Sequence, residues 1–122
     1  MTRPAAAAPD LPEIDLFIDG LWLEQGLSAN TLAAYRRDLA LLGQWLLARQ
    51  IPSLDAARES DLHAYMGARL AEKGKATSAN RRLTVFKRYY RWALRERRIA
   101  EDPTLRLLPA RQSLPVPNTL SG

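Results

Sequence analysis

The sequence contains no cysteine and a single histidine, His63, among its 122 residues. The absence of thiols excludes disulfides and cysteine metal sites, and one imidazole leaves little scope for histidine-based metal or acid–base chemistry. No glycine-rich loop of the kind that cradles nucleotide phosphates is present. Acidic pairs such as Asp15 and Asp19 lie on the outer side of one predicted helix, without a neighbour that would activate them. We therefore expect this chain to have no cofactor and no catalytic activity of its own.

Long apolar runs are also missing. None approaches the ~20 residues needed to span a bilayer. The opening residues, Met-Thr-Arg-Pro-Ala-Ala-Ala-Ala-Pro, are too few and too weakly apolar for a signal peptide. The apolar fraction of 47% favours a packed fold, and the length suits one domain with one core. We expect a cytoplasmic protein with no membrane partner.

Positive charge is concentrated in one stretch of the chain. Residues 75–98 contain nine Lys or Arg and one acid, Glu96, which gives this stretch a net charge of +8 against +5 for the whole sequence. No Gly or Pro follows Ser78 until residue 103, and the stretch therefore predicts a helix. Helical spacing gives it an apolar face made of Ala79, Leu83, Phe86, Tyr90, Ala93 and Leu94.

The opposite side of that helix carries a cationic stripe, an arc of roughly 120°. Its members are Arg81, Lys87, Arg88, Arg91, Arg95 and Arg98. A helix face built only for solubility mixes acids with bases, because like charges one turn apart repel. A stripe of one sign therefore favours an anionic partner, above all a nucleic acid, over a merely solvated face.

Start and stop signals predict three more helices. The four segments run from Asp10 to Gly26, from Ser28 or Asn30 to Ile51-Pro52, from Ser60 or Asp61 to Gly74, and from Thr77 or Ser78 to near Ile99. The predicted core residues of the first three are Ile14, Phe17, Ile18, Leu21 and Trp22, then Leu32, Tyr35, Leu39, Leu42 and Leu46, then Leu62, Tyr65, Met66 and Leu70. The first helix has an acidic outer side made of Glu13, Asp15, Asp19 and Glu24.

No strand-like alternation of useful length occurs, and the sequence therefore predicts an all-α four-helix bundle. Within it, residues 1–9 form a loose N-terminal arm, and 10–108 the helical domain. Residues 109–122, which hold Pro109, Pro115 and Pro117 with Ser, Asn, Thr and a final Gly, form a linker.

Two helix starts carry groups suited to a phosphate. Lys75, Thr77 and Ser78 stand at the start of the basic helix, and Asn30 and Thr31 follow Ser28 at the start of the second. Free amides and the helix dipole favour an anion at such a position, where hydroxyl and ammonium groups add donors. The same residues are ordinary N-caps, and both interpretations stay open.

Several stretches together resemble the N-terminal core-binding domain of the tyrosine site-specific recombinases, the phage integrase family. The similar stretches are Phe17 to Glu24, Leu27 to Leu39, Lys75 to Ser78 leading into Arg81-Arg82-Leu83, and Ile99 to Pro103. Within the family the likeness is greatest to the recombinases that resolve bacterial chromosome dimers.

The resemblance implies a SAM-like helical domain that closes around duplex DNA together with a C-terminal catalytic domain. The second and fourth helices of such domains approach the major groove and its phosphates. Carried onto this chain, the expected DNA contacts are Asn30, Thr31, Arg36, Lys75, Thr77, Ser78, Arg81, Lys87, Arg88 and Arg91. For the full-length protein the resemblance implies a second recombinase of the family and an FtsK-type translocase as partners, with no metal or nucleotide. The chain alone is expected to be monomeric.

The family's catalytic residues are a nucleophilic Tyr with two Arg, a Lys and His, all in the C-terminal domain. The four tyrosines here, Tyr35, Tyr65, Tyr89 and Tyr90, fall in the predicted bundle and do not match the nucleophile. We expect a fragment that binds DNA without cutting or joining it. The alternatives are a phage or transposon integrase domain, a protein-interaction module, and a nonspecific RNA-binding domain.

Overall fold

The computed structural model describes residues 11–73 and 76–109. These ranges contain four α-helices, α1 Pro12–Gln25, α2 Ala29–Ala48, α3 Glu59–Lys73 and α4 Ala76–Arg95, and a 3₁₀ turn at Leu54–Ala56 between α2 and α3. No strand occurs in the described ranges. The predicted all-α four-helix architecture is confirmed.

The ends of α1 follow from local sequence. Pro12 stands in the first turn, where a missing N–H costs nothing, and Leu11 precedes it without a side-chain cap. Asp10, the predicted cap, lies outside the described residues. Gly26 ends the helix at φ 60°, a left-handed conformation that glycine adopts without steric cost. The predicted stop at Gly26 is confirmed.

The ends of α2 are held by a cap and a left-handed residue. The Ser28 hydroxyl accepts the backbone N–H of Thr31 at 3.1 Å, which confirms the N-cap predicted there. At the other end Gln50 has φ 68°. The N–H groups of Gln50 and Ile51 bond back to the carbonyls of Leu47 and Leu46, satisfying two otherwise free acceptors.

The basic helix α4 is shorter than predicted. It is already helical at Ala76, before the predicted caps, whose side chains lie outside the described residues. It ends at Arg95 instead of near Ile99, because Arg97 turns left-handed at φ 63°. The N–H of Arg98 then bonds to the carbonyl of Ala93, the same closure as in α2.

The core lies between α2 and its neighbours, since α2 packs against the other three helices and the 3₁₀ turn. The predicted core positions that are buried are Ile14, Phe17, Ile18, Leu21, Leu32, Leu39, Leu42, Leu46, Leu62, Tyr65, Ala79, Leu83, Phe86, Tyr90 and Ala93. Aromatic rings of α1 and α4 meet edge to face, with the Phe17 and Tyr89 centroids 5.3 Å apart.

Four predicted positions are wrong. Trp22, Leu94 and Leu70 belong to predicted apolar faces but are 56%, 40% and 37% exposed. Each stands at the margin of its stripe, where the neighbouring helix no longer covers it. Glu13, predicted on the outer acidic side, is buried and accepts the N–H of Leu54 at 3.4 Å. This amide begins the 3₁₀ turn and has no partner within it, and the carboxylate supplies one.

The chain after α4 folds back onto the bundle. The Asp102 carboxylate accepts both the N–H of Thr104, at 2.8 Å, and its hydroxyl, at 2.6 Å. Thr104 and Leu107 are buried, whereas Leu105 and Leu108 are exposed. Residues 103–106 therefore form a turn that Asp102 anchors.

Candidate nucleic-acid interface

The cationic stripe lies along the outer side of α4. Arg81, Arg91 and Arg95 are exposed, and Lys87 and Arg88 are half-buried. Thr84 lies in the same arc, exposed, with its hydroxyl donating to the carbonyl of Asn80 at 3.1 Å. Its helical position places Thr84 between the arginines. The charge pattern of the sequence does not indicate this residue, because it carries no charge.

Most of the stripe is held by contacts within the protein. Lys87 Nζ donates to the carbonyl oxygen of Thr104 at 2.6 Å, and Arg88 Nη1 donates to Gln25 Oε1 at 2.8 Å. These bonds connect α4 to the chain after it and to the end of α1. They fix where the two side chains stand, and neither bond neutralises a positive charge.

Two other cations are paired with carboxylates. Arg95 meets Glu24 at 3.5 Å, both side chains being more than half exposed. Arg98 Nε donates to Asp55 at 2.9 Å. The acidic side of α1 therefore reaches the edge of the stripe through Glu24. An exposed pair such as Arg95–Glu24 contributes about 0–1 kcal/mol, whereas the side chains of Arg98 and Asp55 are more buried.

Arg91 differs from its neighbours. Its exposed guanidinium makes no hydrogen bond or ion pair within the described part of the chain. It lines a shallow groove between α1 and α4, together with Arg88, Arg95 and the side of Trp92. An anion in this groove would meet three guanidinium groups, of which only Arg95 has a carboxylate partner in the described part of the chain. That partner, Glu24, also lines the groove.

Arg81 is held by the contact that most constrains the stripe. Its Nε and Nη2 donate to the two carboxylate oxygens of Asp38 on α2, each at 3.0 Å. The Asp38 side chain is only 3% exposed, against 49% for Arg81. This hydrogen bonding raises the pKa of Arg81 above its usual value. The sequence pattern did not indicate Asp38 as a site residue. The available signal is its position one turn after Tyr35, which places it on the buried side of α2.

The start of α2 presents the other predicted contacts. Asn30 is exposed, and the half-buried Thr31 receives a hydrogen bond from the Ser28 hydroxyl at 3.0 Å. Arg36 is exposed and bonds to Asp15 of α1. Lys75 and the side chains of Thr77 and Ser78 lie outside the described residues.

The tyrosines are parts of the scaffold. Tyr65, Tyr89 and Tyr90 are buried, and Tyr35 is half-buried against the core. Burial, with a hydrogen bond to Asp55, raises the pKa of Tyr89 far above its usual value. Burial likewise raises the pKa of Tyr90, whose hydroxyl donates to the carbonyl of Leu54 at 2.7 Å. A nucleophilic phenol requires the opposite conditions, namely access and easy deprotonation.

Two further features that would bear on function are a cluster of metal-ligating side chains and a helix of membrane-spanning length. There, no three His, Cys, Asp or Glu side chains gather closely enough to hold a metal ion. None of the helices found in residues 11–73 and 76–109 combines the length and apolarity required to cross a bilayer.

Comparison with known proteins identifies the class. The family described as phage integrase, N-terminal SAM-like domain, matches residues 14–97, which run from the first turn of α1 to just beyond the end of α4. The chain therefore belongs to this family, the N-terminal domains of tyrosine site-specific recombinases.

Three individual relatives are proteins named tyrosine recombinase XerD. The chain is 49% identical over 126 residues to tyrosine recombinase XerD of Ralstonia nicotianae, a match that covers 99% of the chain and 40% of the relative. It is 44% identical to XerD of Proteus mirabilis, over 88% of the chain and 34% of that protein. It is 41% identical to XerD of Pseudomonas putida, over 93% of the chain and 38% of that protein. The chain thus spans well under half the length of these relatives.

Proposed function

We propose that this chain binds double-stranded DNA as the core-binding domain of a XerD-like tyrosine recombinase. The observation that carries the proposal is the cationic stripe of α4, which keeps one sign of charge along an exposed face. Membership of a recombinase family supports the choice of DNA among possible anions. The proposed domain is 10–108, followed by a linker at 109–122.

The proposed contacts divide by chemistry. Three cations suit phosphates as point charges. Arg91 has no acidic partner among the residues that the structure describes, and Lys87 and Arg88 are bonded to neutral oxygens. Asn30 and Thr31 stand in the first turn of α2, where the helix dipole favours an anion. The Thr31 amide is already capped by Ser28, so the proposed contacts there are made by side chains. The remaining proposed contacts are Arg36, Lys75, Thr77, Ser78 and Arg81.

The function of the whole protein is proposed from the relatives' names and the family. A XerD-like recombinase cuts and rejoins DNA at a specific site through a tyrosine nucleophile, without metal or nucleotide. We propose that it acts in the cytoplasm with a XerC-like recombinase and an FtsK-type translocase, and that it resolves chromosome dimers at cell division.

We further propose that this chain binds its site without cutting or joining it. The buried state of Tyr65, Tyr89 and Tyr90 supports this proposal, because none of them presents its hydroxyl to a phosphate. A duplex containing a nicked candidate site would trap a covalent protein–DNA adduct if one of the tyrosines were nucleophilic. We expect no adduct on a denaturing gel.

The test of DNA binding is a salt titration of affinity on a duplex carrying a candidate recombination half-site. A scrambled duplex of equal length serves as control. About 4–6 phosphate contacts give a log–log slope of about −4 to −5. That slope with tighter binding to the half-site supports the recombinase assignment. No binding at low salt contradicts it.

A protein-interaction module is the second candidate, and one observation favours it. Leu16 and Leu23 lie seven residues apart on one outer side of α1 and are 53% and 81% exposed. This small apolar strip would suit a partner helix. Sedimentation of the chain with and without the duplex separates the two functions: a complex with DNA that survives Leu23→Ser favours DNA binding, whereas self-association abolished by Leu23→Ser favours the interaction module.

A further inference from the structure

The Asp38–Arg81 pair has a geometry that a simple ion pair between helices does not require. A guanidinium has two bidentate edges, one formed by Nε with Nη2 and one formed by Nη1 with Nη2. Asp38 occupies the first edge with both of its carboxylate oxygens. Arg81 Nη1 has no hydrogen-bond partner among the described residues, and the side chain is 49% exposed. The second edge is therefore available to a ligand.

The carboxylate orients this edge. Asp38 belongs to α2 at the centre of the bundle, its side chain is almost completely buried, and it has no other hydrogen-bond partner in the described part of the chain. Two parallel bonds to such an anchor fix the plane of the guanidinium as well as its position. Arg81 is the sixth residue of α4, in the N-terminal half, and the N-terminal residues of the recognition helix are those that meet base edges in helix-turn-helix proteins.

The same pairing changes what Arg81 can contribute. Asp38 offsets most of its charge, and the pair therefore attracts a phosphate weakly compared with Arg91. The directional donors are retained. The guanidinium of Arg81 is held in one plane and its charge is compensated by Asp38. It therefore suits a neutral pair of acceptors in a fixed plane, such as O6 and N7 of guanine, better than it suits a phosphate.

We propose that Asp38 is a positioning residue that holds Arg81 so that its free edge reads a guanine in the major groove. This inference rests on the proposed DNA binding and assigns different contacts to two arginines. Arg81 reads the base sequence, whereas Arg91 binds the phosphate backbone of the DNA. Asp38 itself does not touch the DNA.

The experiment is a selection from a pool of duplexes with a randomised stretch of 20 base pairs, carried out with the whole chain. We expect the wild-type protein to enrich a guanine at one position. Asp38→Asn, which keeps the shape of the side chain but not its charge, should lose that preference. Arg81→Lys should lose it also, while leaving the buried carboxylate a cationic partner and so protecting the fold. Arg91→Ala should keep it.

A second measurement addresses the contact itself. Replacing the selected guanine by 7-deazaguanine removes the N7 acceptor, and it should weaken wild-type binding by about 5- to 150-fold, the range of a bidentate arginine–guanine contact. In Asp38→Asn the same replacement should have less than about a twofold effect. The salt dependence of binding should be no shallower in Asp38→Asn than in the wild type, since no phosphate contact is lost.

The outcomes separate the inference from the proposed function. An unchanged guanine preference in folded Asp38→Asn and Arg81→Lys would overturn the inference and leave Asp38 a structural residue. Wild-type binding with a normal salt slope but no base preference would overturn it too, while DNA binding stands. No enrichment and no binding at low salt would defeat the proposed function itself.

Discussion

The Tyr89 hydroxyl donates a 2.6 Å hydrogen bond to one carboxylate oxygen of Asp55, while Arg98 donates to the other at 2.9 Å. The carboxylate of Asp55, in the 3₁₀ turn, therefore binds one residue of α4 and one residue just beyond α4. The Tyr90 hydroxyl bonds to the carbonyl of Leu54 in the same turn. Two adjacent tyrosines therefore fasten the 3₁₀ turn to the basic helix, and both keep their protons in the folded state.

This arrangement predicts loss of stability at alkaline pH. The pKa of Tyr89 and that of Tyr90 are raised on folding, so the unfolded chain loses these protons first as pH rises. The stability that depends on the protonated phenols is complete below about pH 10 and decreases above it. Two such groups give a slope of up to about 2.7 kcal/mol per pH unit.

Urea unfolding between pH 9 and 11.5 measures this slope. In Tyr89→Phe/Tyr90→Phe the slope should become much shallower, and an equal slope would contradict the prediction.

Removal of the Arg91 side chain should weaken DNA binding evenly. The residue has no acidic partner in residues 11–73 and 76–109, so Arg91→Ala should remove one phosphate contact without disturbing the fold. The salt slope should become shallower by about 1, with a similar loss of affinity on specific and scrambled duplexes. Arg58→Ala is the matched control, since it removes one exposed charge at the start of α3. If both variants behave alike, Arg91 makes no contact of its own.

Removal of the Arg81 side chain should destabilise the fold. Arg81→Ala leaves the Asp38 carboxylate buried without its two hydrogen bonds, at a cost of about 2–3 kcal/mol in unfolding free energy. The midpoint of urea unfolding reports it if the m-value stays constant. Arg81→Ala/Asp38→Leu removes both partners and should recover part of the loss. If Arg81→Ala were as stable as the wild type, water would have to solvate the Asp38 carboxylate, which would contradict the prediction.

Exposed and buried apolar residues of α1 should respond differently to truncation. Phe17 is 1% exposed and packs against Tyr89 and Trp92, so Phe17→Ala should cost about 3–5 kcal/mol. Leu23 is 81% exposed, and Leu23→Ala should stay within about 0.5 kcal/mol of the wild type. Thermal unfolding of the three proteins side by side measures both effects. A large loss in Leu23→Ala would mean that this residue is covered in solution.

Local sequence was sufficient for much of the fold and part of the candidate site. Capping at Ser28, the stop at Gly26 and the apolar stripes depend on neighbours within one or two turns, and all three were predictable. So was the one-sided charge of α4. The number of helices followed from the same periodicity.

Other features depended on residues far apart in the chain. The burial of Glu13 follows from a turn 41 residues later whose amide needs an acceptor. Trp22 is exposed because it stands at the margin of the apolar stripe of α1, which the neighbouring helices leave uncovered. Helical periodicity assigns a side chain to a face but does not say how far a neighbour covers that face.

The sequence alone determined that four helices form, that one of them carries a cationic stripe of one sign, and that no thiol chemistry is possible. Only the tertiary structure decided which cations of that stripe are engaged and which are free. Lys87, Arg88 and Arg95 meet groups from other elements, Arg91 meets none among the described residues, and Arg81 is fixed by a buried carboxylate of α2. The reason is that charge and helical phase are properties of a segment, whereas pairing and burial are set by the segments packed against it.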